Sequence, residues 1–229
     1  MISMGNQAGI SRATELLSLE NSSLCVRGSS QLLLEIPVLR ICSGERLVVT
    51  GPSGSGKSLL LSMITGRWAA QLEHSGTRTI GCERIGYIPQ RGQDALHPLM
   101  PLGRQLRKAS GRSAQAVADI LASVGLDDPQ LLQRRPAELS GGQAQRAAVA
   151  LAALSAAPLI LADEPTSALD QASRDKILGL LDKVVSAEQA MVVVTHDPEV
   201  AEALATRRIR LDSGKLREEL APARQAVPA

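Results

Sequence analysis

The chain has 229 residues, 44% of them hydrophobic, which is enough apolar material for one globular unit with its own core. Its 25 Lys and Arg against 23 Asp and Glu leave a formal charge of +2, too little to attract a polyanion, so nucleic acid is not an expected partner. Cys25, Cys42 and Cys82 stand singly, fit neither a zinc spacing nor a redox CxxC, and read as reduced thiols in a reducing compartment.

The opening, MISMGNQAGISRATELL, lacks the basic start and apolar run of a secretory signal, and its first dozen residues read as frayed. A small antiparallel β region is expected near the N-terminus. RLVVTG (46–51) is the first continuous aliphatic run, followed by a helix over KSLLLSMIT that Gly66 would cap. RIGYIP (84–89) is a second run. From Pro98 to Ala157 no strand is expected, only helices separated by Gly103, Gly111, Gly125 and Pro129, the last after a helix-starting Asp127-Asp128. LILADE (159–164) and MVVVTH (191–196) are further aliphatic runs, with the helical pattern SRDKILGLLDKVVS between them. The most apolar segment, 147–162, is broken by Pro158 and runs into Asp163 and Glu164, so a membrane span is not expected and the chain reads as soluble. The tail APARQAVPA (221–229) reads as flexible.

Continuous apolar runs without alternation are what strands covered on both faces look like. Alternated with helices, they predict an α/β fold with a mostly parallel sheet flanked by helices. The expected organisation is a single domain over 1–229, with an α/β core from 1–90 and 159–220 and an inserted helical lobe at 91–158.

GPSGSGKS, Gly51 to Ser58, fits G-x-x-x-x-G-K-[ST] between a strand and a helix. Gly51, Pro52, Ser53, Gly54, Ser55 and Gly56 would wrap backbone N–H groups around phosphate oxygens, with Leu59 on the helical turn that follows. Lys57 would reach the β and γ phosphates, and the Ser58 hydroxyl would ligate Mg²⁺. A plain glycine-rich turn is the alternative, and the flanking strand and helix argue against it. LILADEP delivers two carboxylates at a strand's C-terminal end, where open α/β sheets bind ligands. Asp163 would hold Mg²⁺ through water, and Glu164 would orient the water that attacks the γ phosphate or take its proton. A solvated acidic loop would not require four aliphatics before it. His196 ends another strand on the same rim, where its imidazole can hydrogen-bond a γ phosphate; Asp197-Pro198 reads as a helix cap only.

LSGGQAQR (139–146) is less obvious. Ser140 and Gln143 have the spacing of a capping box, but two glycines in a first turn weaken a helix. Gly141 and Gly142 offer a bare backbone to a bulky anion, so this is a second expected phosphate-binding helix start. With one P-loop, two such helix ends need either two ligands or one ligand shared between chains.

These residues resemble the ATP-binding cassette ATPases. GPSGSGKS, Gln90 after RIGYIP, LSGGQAQR, LILADEP, SALD (167–170) and His196 occur in that family's order, over about 15–217. The resemblance implies a P-loop NTPase fold that binds ATP and Mg²⁺, in which two subunits meet head-to-tail. Each ATP would lie between one chain's P-loop and the other's Ser140, Gly141, Gly142 and Gln143. It also implies that Gln90 senses Mg²⁺ and couples to the partner, that Glu164 is the catalytic base with His196 on the γ phosphate, and that Asp170 belongs to a dimer-spanning loop.

QRGQDALHPLMPLGRQL (90–106) is similar to the corresponding region of peptide and nickel importer ATPases, with Leu96 and Pro98 at matching distances from Gln90 but the aspartate displaced to Asp94. That implies uptake of a peptide, nickel or metal chelate through membrane permease subunits, served by an extracytoplasmic solute-binding protein, with this chain on the cytoplasmic membrane face. Such ATPases stack adenine on an aromatic ring upstream of the P-loop; here Leu24, Cys25, Val26 and Arg27 stand there, so Val26 packing on the base or Arg27 lying over it is expected. A C-terminal regulatory extension is expected to be absent. A soluble ATPase of the same type, working as a mechanical switch on a cytosolic complex, is the alternative. A phosphate-binding module without catalysis is disfavoured by Lys57, Asp163, Glu164 and His196 together.

Overall fold

The computed structural model describes residues 13–167 and 170–219; the expected frayed start, the tail at 221–229, and Ala168 and Leu169 of the SALD stretch lie outside them. In chain order the elements are β1 (Glu15–Val26), β2 (Leu32–Cys42), β3 (Arg46–Thr50), α1 (Lys57–Thr65), β4 (Leu72–Ile80) and β5 (Ile85–Ile88). A helical stretch follows with α2 (Leu102–Ser110), α3 (Ala114–Ser123) and α4 (Gly141–Leu154), joined by short 3₁₀ turns. The chain then returns through β6 (Leu159–Asp163), α5 (Gln171–Val184), β7 (Ala190–Thr195), α6 (Pro198–Leu204), β8 (Arg207–Asp212) and β9 (Lys215–Glu219).

The strands form one mixed sheet in the order β4-β1-β2-β9-β8-β3-β7-β6-β5. The four aliphatic runs are β3, β5, β6 and β7, which pair parallel as β3-β7, β7-β6 and β6-β5. Every residue of β7 is buried, as are all of β6 except Asp163, because helices cover both faces. The antiparallel part is larger than the small region expected. β1 and β2 are 12 and 11 residues long, β4 adds to β1, and β8 and β9 form a hairpin. These strands have one polar face, so their apolar residues alternate: Leu17 and Leu19 are buried across from Ile41 and Leu39.

One core cluster lies between α1 and the sheet, including Leu60, Met63, Ile64, Leu161 and Val192. A second fills the opposite face beneath α5 and α6, and a third belongs to α2, α3 and α4. Helix α4 serves both of the latter: Val149 and Ala152 face the sheet, and Ala144, Ala147 and Ala150 face the helical lobe. Its alanine content follows from this double burial, since a helix packed on two sides needs short side chains for close approach. Among the described residues no helix is long and apolar enough to cross a membrane.

Candidate functional site

Four adjacent parallel strands end on one rim. β3 leads into the P-loop, β7 into His196, β6 into Asp163 and Glu164, and β5 into Gln90. Register aligns the ends, with Thr50 opposite Thr195, Asp163 opposite Val194, and Ile88 opposite Ala162. The sheet thus gathers residues more than a hundred positions apart into a cleft of about 380 Å³, lined by Ser53, Gly54, Gly56, Lys57, Ser58, Leu59, Gln90, Asp163, Glu164 and His196. This is the C-terminal strand edge at which such sheets take ligands.

The loop is shaped for an anion. Gly54 and Gly56 adopt left-handed φ values of 79° and 105°, and α1 starts at Lys57 with no side-chain N-cap, so its first N–H groups remain for a ligand. Gly51 is demanded by space, because a Cβ there would sit 2.3 Å from the Leu211 carbonyl oxygen. Ser55 is buried, and its hydroxyl has no partner among the described residues. The Lys57 ammonium, 8% exposed, donates to the carbonyls of Gly51 at 2.9 Å and Pro52 at 3.1 Å and lies 3.5 Å from Glu164 Oε1. These contacts satisfy a buried charge and hold it beside the loop.

Glu164 has a φ of 44°, uncommon for a residue with a side chain, and its N–H donates to the Val194 carbonyl at 2.9 Å. That backbone turns its carboxylate between Lys57 and His196, whose Nδ1 lies 2.9 Å from Glu164 Oε2. A carboxylate oxygen accepts, so the ring donates in this contact through Nδ1–H. A phosphate oxygen, also an acceptor, would meet this N–H only after the ring turns.

Asp163 sits beside Ser58, and the Tyr87 hydroxyl donates to its Oδ2 at 3.3 Å. Burial raises its pKa above the ordinary carboxylate range and the Glu164 charge adds to the rise, while Tyr87, Lys57 and Ser58 oppose it. The Tyr87 hydroxyl is pushed up to about 12, first by burial and then by Asp163, so it remains a donor. A half-buried carboxylate next to a hydroxyl, at the mouth of a phosphate-shaped loop, is an oxygen donor set that suits Mg²⁺ bridged to phosphate. Among the described residues no group of three or more His, Cys, Asp or Glu side chains is placed to hold a metal ion.

The remaining expected contacts stand apart. Ser140, Gly141, Gly142 and Gln143 open α4 but do not line the cleft, and Asp170 caps α5 through the Ser173 N–H at 2.9 Å. Val26 is half-buried against the core and Arg27 is exposed; neither lines the cleft. The Ser140 capping box is formed, with the Gln143 N–H donating to Ser140 Oγ at 3.2 Å and the Ser140 N–H to Gln143 Oε1 at 2.9 Å. A Cβ on Gly141 or Gly142 would meet nothing within 4 Å, so packing within this chain gives no reason for either glycine.

Two residues that the sequence did not single out tie the pieces together. Gln145, 4% exposed on α4, donates to the Pro165 carbonyl at 3.0 Å and the Pro89 carbonyl at 3.4 Å, joining that helix to the segments bearing Glu164 and Gln90. Gly92 is pressed on the same helix, where a Cβ would lie 2.4 Å from Ala144 backbone atoms. A glutamine on an otherwise alanine face was the available signal for Gln145; Gly92 had none. Gln105, near the end of the importer-like segment 90–106, is engaged locally, accepting from the His97 N–H at 2.8 Å and donating to the Met100 carbonyl at 3.1 Å.

A family model described as "ABC transporter" matches residues 35–167. The "Lipoprotein-releasing system ATP-binding protein LolD" of Chromohalobacter salexigens is 35% identical over 210 residues, covering 82% of this chain and 86% of that protein. The "Macrolide export ATP-binding/permease protein MacB 1/2" of Paracoccus denitrificans is 37% identical over 210 residues, covering 83% of this chain; the match spans only 30% of that longer protein. A solved dimeric ATP-binding cassette in a post-hydrolysis state with ADP and Pi is 28% identical with a TM-score of 0.70, covering 89% of this chain and 98% of its own.

Proposed function

The chain belongs to the ABC transporter family, as its ATP-hydrolysing cassette, and from that premise we propose that it works as one half of a head-to-tail pair sharing two ATP sites and driving a membrane permease. The observation that carries the shared site is the contrast within one chain. The P-loop cleft is lined by the rim of the sheet and by none of Ser140, Gly141, Gly142 and Gln143, while their capped, glycine-bearing helix start faces open space elsewhere.

In this reading Gly51 to Ser58, with Leu59, cradle the phosphates, and Lys57 exchanges its carbonyl contacts for phosphate oxygens. Ser58, Asp163 and Gln90 would hold Mg²⁺, which when bound neutralises charge on the β and γ phosphates. Glu164 orients the attacking water and takes its proton; His196, held at 2.9 Å, steadies that carboxylate and reaches the γ phosphate once its ring turns. Ser140, Gly141, Gly142 and Gln143 of the partner subunit close over the nucleotide, with Asp170 near the seam. Val26, or Arg27, borders the base from outside the cleft.

The direction of transport is read from the relatives. LolD and MacB are named for lipoprotein release and macrolide export, which favours moving an apolar or amphiphilic cargo away from the membrane over uptake. Uptake of a peptide or metal chelate, fed by a solute-binding protein, is the second reading. It rests on the spacing of Leu96 and Pro98 from Gln90.

Mixing two inactive variants tests the shared site. Lys57→Ala and Gly142→Asp each abolish hydrolysis alone, but a head-to-tail mixed dimer has one intact site, so mixing restores on the order of a quarter of the activity. No restoration would show that each site is built within one chain. Recovery of integral membrane proteins with the tagged chain in mild detergent supports the transporter role; recovery of cytosolic partners alone points to a switch.

A further inference from the structure

We propose that Tyr87 is a positioning residue for the magnesium-ligating carboxylate, its hydroxyl fixing Asp163 from outside the nucleotide cleft. This rests on reading Asp163 as a magnesium ligand. The placement follows from strand register: Tyr87 lies opposite Leu161 on the neighbouring parallel strand, so Asp163, two residues on, is its diagonal neighbour on the same face. A phenol ring is long enough to span that diagonal, and its hydroxyl meets Asp163 Oδ2 at 3.3 Å.

Asp163 and Ser58 form a wall between two spaces. Both line the nucleotide cleft, and both line a second groove of about 490 Å³ beside α1 and β5. Tyr87 lines only that outer groove and is 43% exposed. Lys57, Ser58 and Glu164, the other groups acting on the carboxylate, all belong to the cleft. Tyr87 therefore restrains Asp163 from the far side. By occupying Oδ2 it leaves Oδ1 for a hydrated cation and removes the freedom of the carboxylate to rotate. Carboxylates that ligate metals depend on such outer hydrogen bonds for their orientation. The contact is long for a hydroxyl donor, so its effect belongs to orientation more than to folding stability.

The test is equilibrium binding of a fluorescent ATP analogue, titrated with Mg²⁺ or in EDTA, for the wild type, Tyr87→Phe and Asp163→Asn. Phe keeps the ring and deletes only the hydroxyl. Tyr87→Phe is expected to keep wild-type affinity in EDTA, which also certifies its fold, while the Mg²⁺ concentration for half-maximal tightening rises about tenfold. Asp163→Asn is expected to lose the Mg²⁺ response. If Asp163→Asn responds like the wild type, the magnesium reading fails and the Tyr87 proposal with it. If Asp163→Asn loses the response and Tyr87→Phe keeps the wild-type value, the proposal alone is overturned. An equal loss of affinity by Tyr87→Phe in Mg²⁺ and EDTA also overturns it, because the hydroxyl would then support the loop as a whole.

Discussion

Two helix starts in this chain bear glycines, and they obey different constraints. At α1 the glycines answer to the chain itself: Gly54 and Gly56 take left-handed backbone angles, and Gly51 lies where any side chain would strike the Leu211 carbonyl. That helix has no side-chain cap, and its first lysine is buried. At α4 the cap is complete, the backbone at Gly141 and Gly142 needs no positive φ, and a side chain added at either would meet nothing within 4 Å. The first site is therefore fixed by folding, whereas the second makes sense only against another molecule. Substitutions at the two should separate stability from function.

The largest expected effect falls on chemistry at the first. Glu164→Gln keeps the shape but loses the acceptor of the water's proton, so steady-state hydrolysis should fall on the order of 10²–10⁴-fold while ATP binding persists. Size-exclusion chromatography with ATP should then show an accumulated closed dimer; unchanged turnover would remove Glu164 from the base role. Paired alanine substitutions come next. Gly51→Ala should destabilise the fold by about 2–4 kcal/mol, since the clash involves backbone that cannot swing away. Gly142→Ala should instead leave the melting temperature unchanged or raise it, gaining up to about 1 kcal/mol of helix propensity. It should weaken ATP-dependent dimerisation all the same, as read by analytical ultracentrifugation. Equal destabilisation by both substitutions would erase the contrast between the two helix starts.

What the sequence made legible follows the same division. β3, β6 and β7 were readable because burial on both faces leaves uninterrupted aliphatic runs, and their shared rim placed Lys57, Asp163, Glu164 and His196 together; β5 was readable although it is an edge strand with Tyr87 exposed. β8 and β9 were missed, because four of the six residues of RRIRLD and four of the five of KLREE are charged and read as polar segments. The long β1–β2 hairpin was understated for a similar reason: its buried leucines are spaced by polar residues. Tertiary bonds left no pattern to read, so Gln145 reaching Pro89 and Pro165, and Tyr87 reaching Asp163, required coordinates.

Gln145 offers a test of intermediate size that links the two helix starts. Its carboxamide is the buried connection from α4 to the segments carrying Gln90 and Glu164. Gln145→Leu preserves bulk but leaves two carbonyls short of a donor, so a stability loss of about 1–3 kcal/mol is expected in chemical denaturation. If α4 is held in register through this residue, ATP-dependent dimerisation should weaken beyond what the stability loss explains. Unchanged dimerisation at full occupancy of the folded state would make Gln145 a packing residue only.

The smallest expected effect concerns what the first site costs before any ligand arrives. Burial and the Glu164 charge raise the Asp163 pKa, so the folded chain binds that proton more tightly than the unfolded chain does. Below the ordinary carboxylate range both states are protonated and there is no penalty. As pH rises through the raised pKa, the folded state must ionise a group it disfavours, and stability is lost; the loss persists at neutral pH. Asp163→Asn removes the charge and should melt slightly higher than the wild type at pH 7, by less than about 4 °C, with the difference closing as the pH falls to the ordinary carboxylate range. Gly142→Asp supplies the counterpart, because its added carboxylate enters open space at a helix N-terminus and should leave the melting temperature at pH 7 unchanged or slightly raised, any dipole gain fading as the carboxylate is protonated. A stabilising Asp163→Asn beside a Gly142→Asp that costs no stability would mean that the P-loop cleft carries a folding cost that only its ligand relieves, while the α4 start carries none until a second chain meets it.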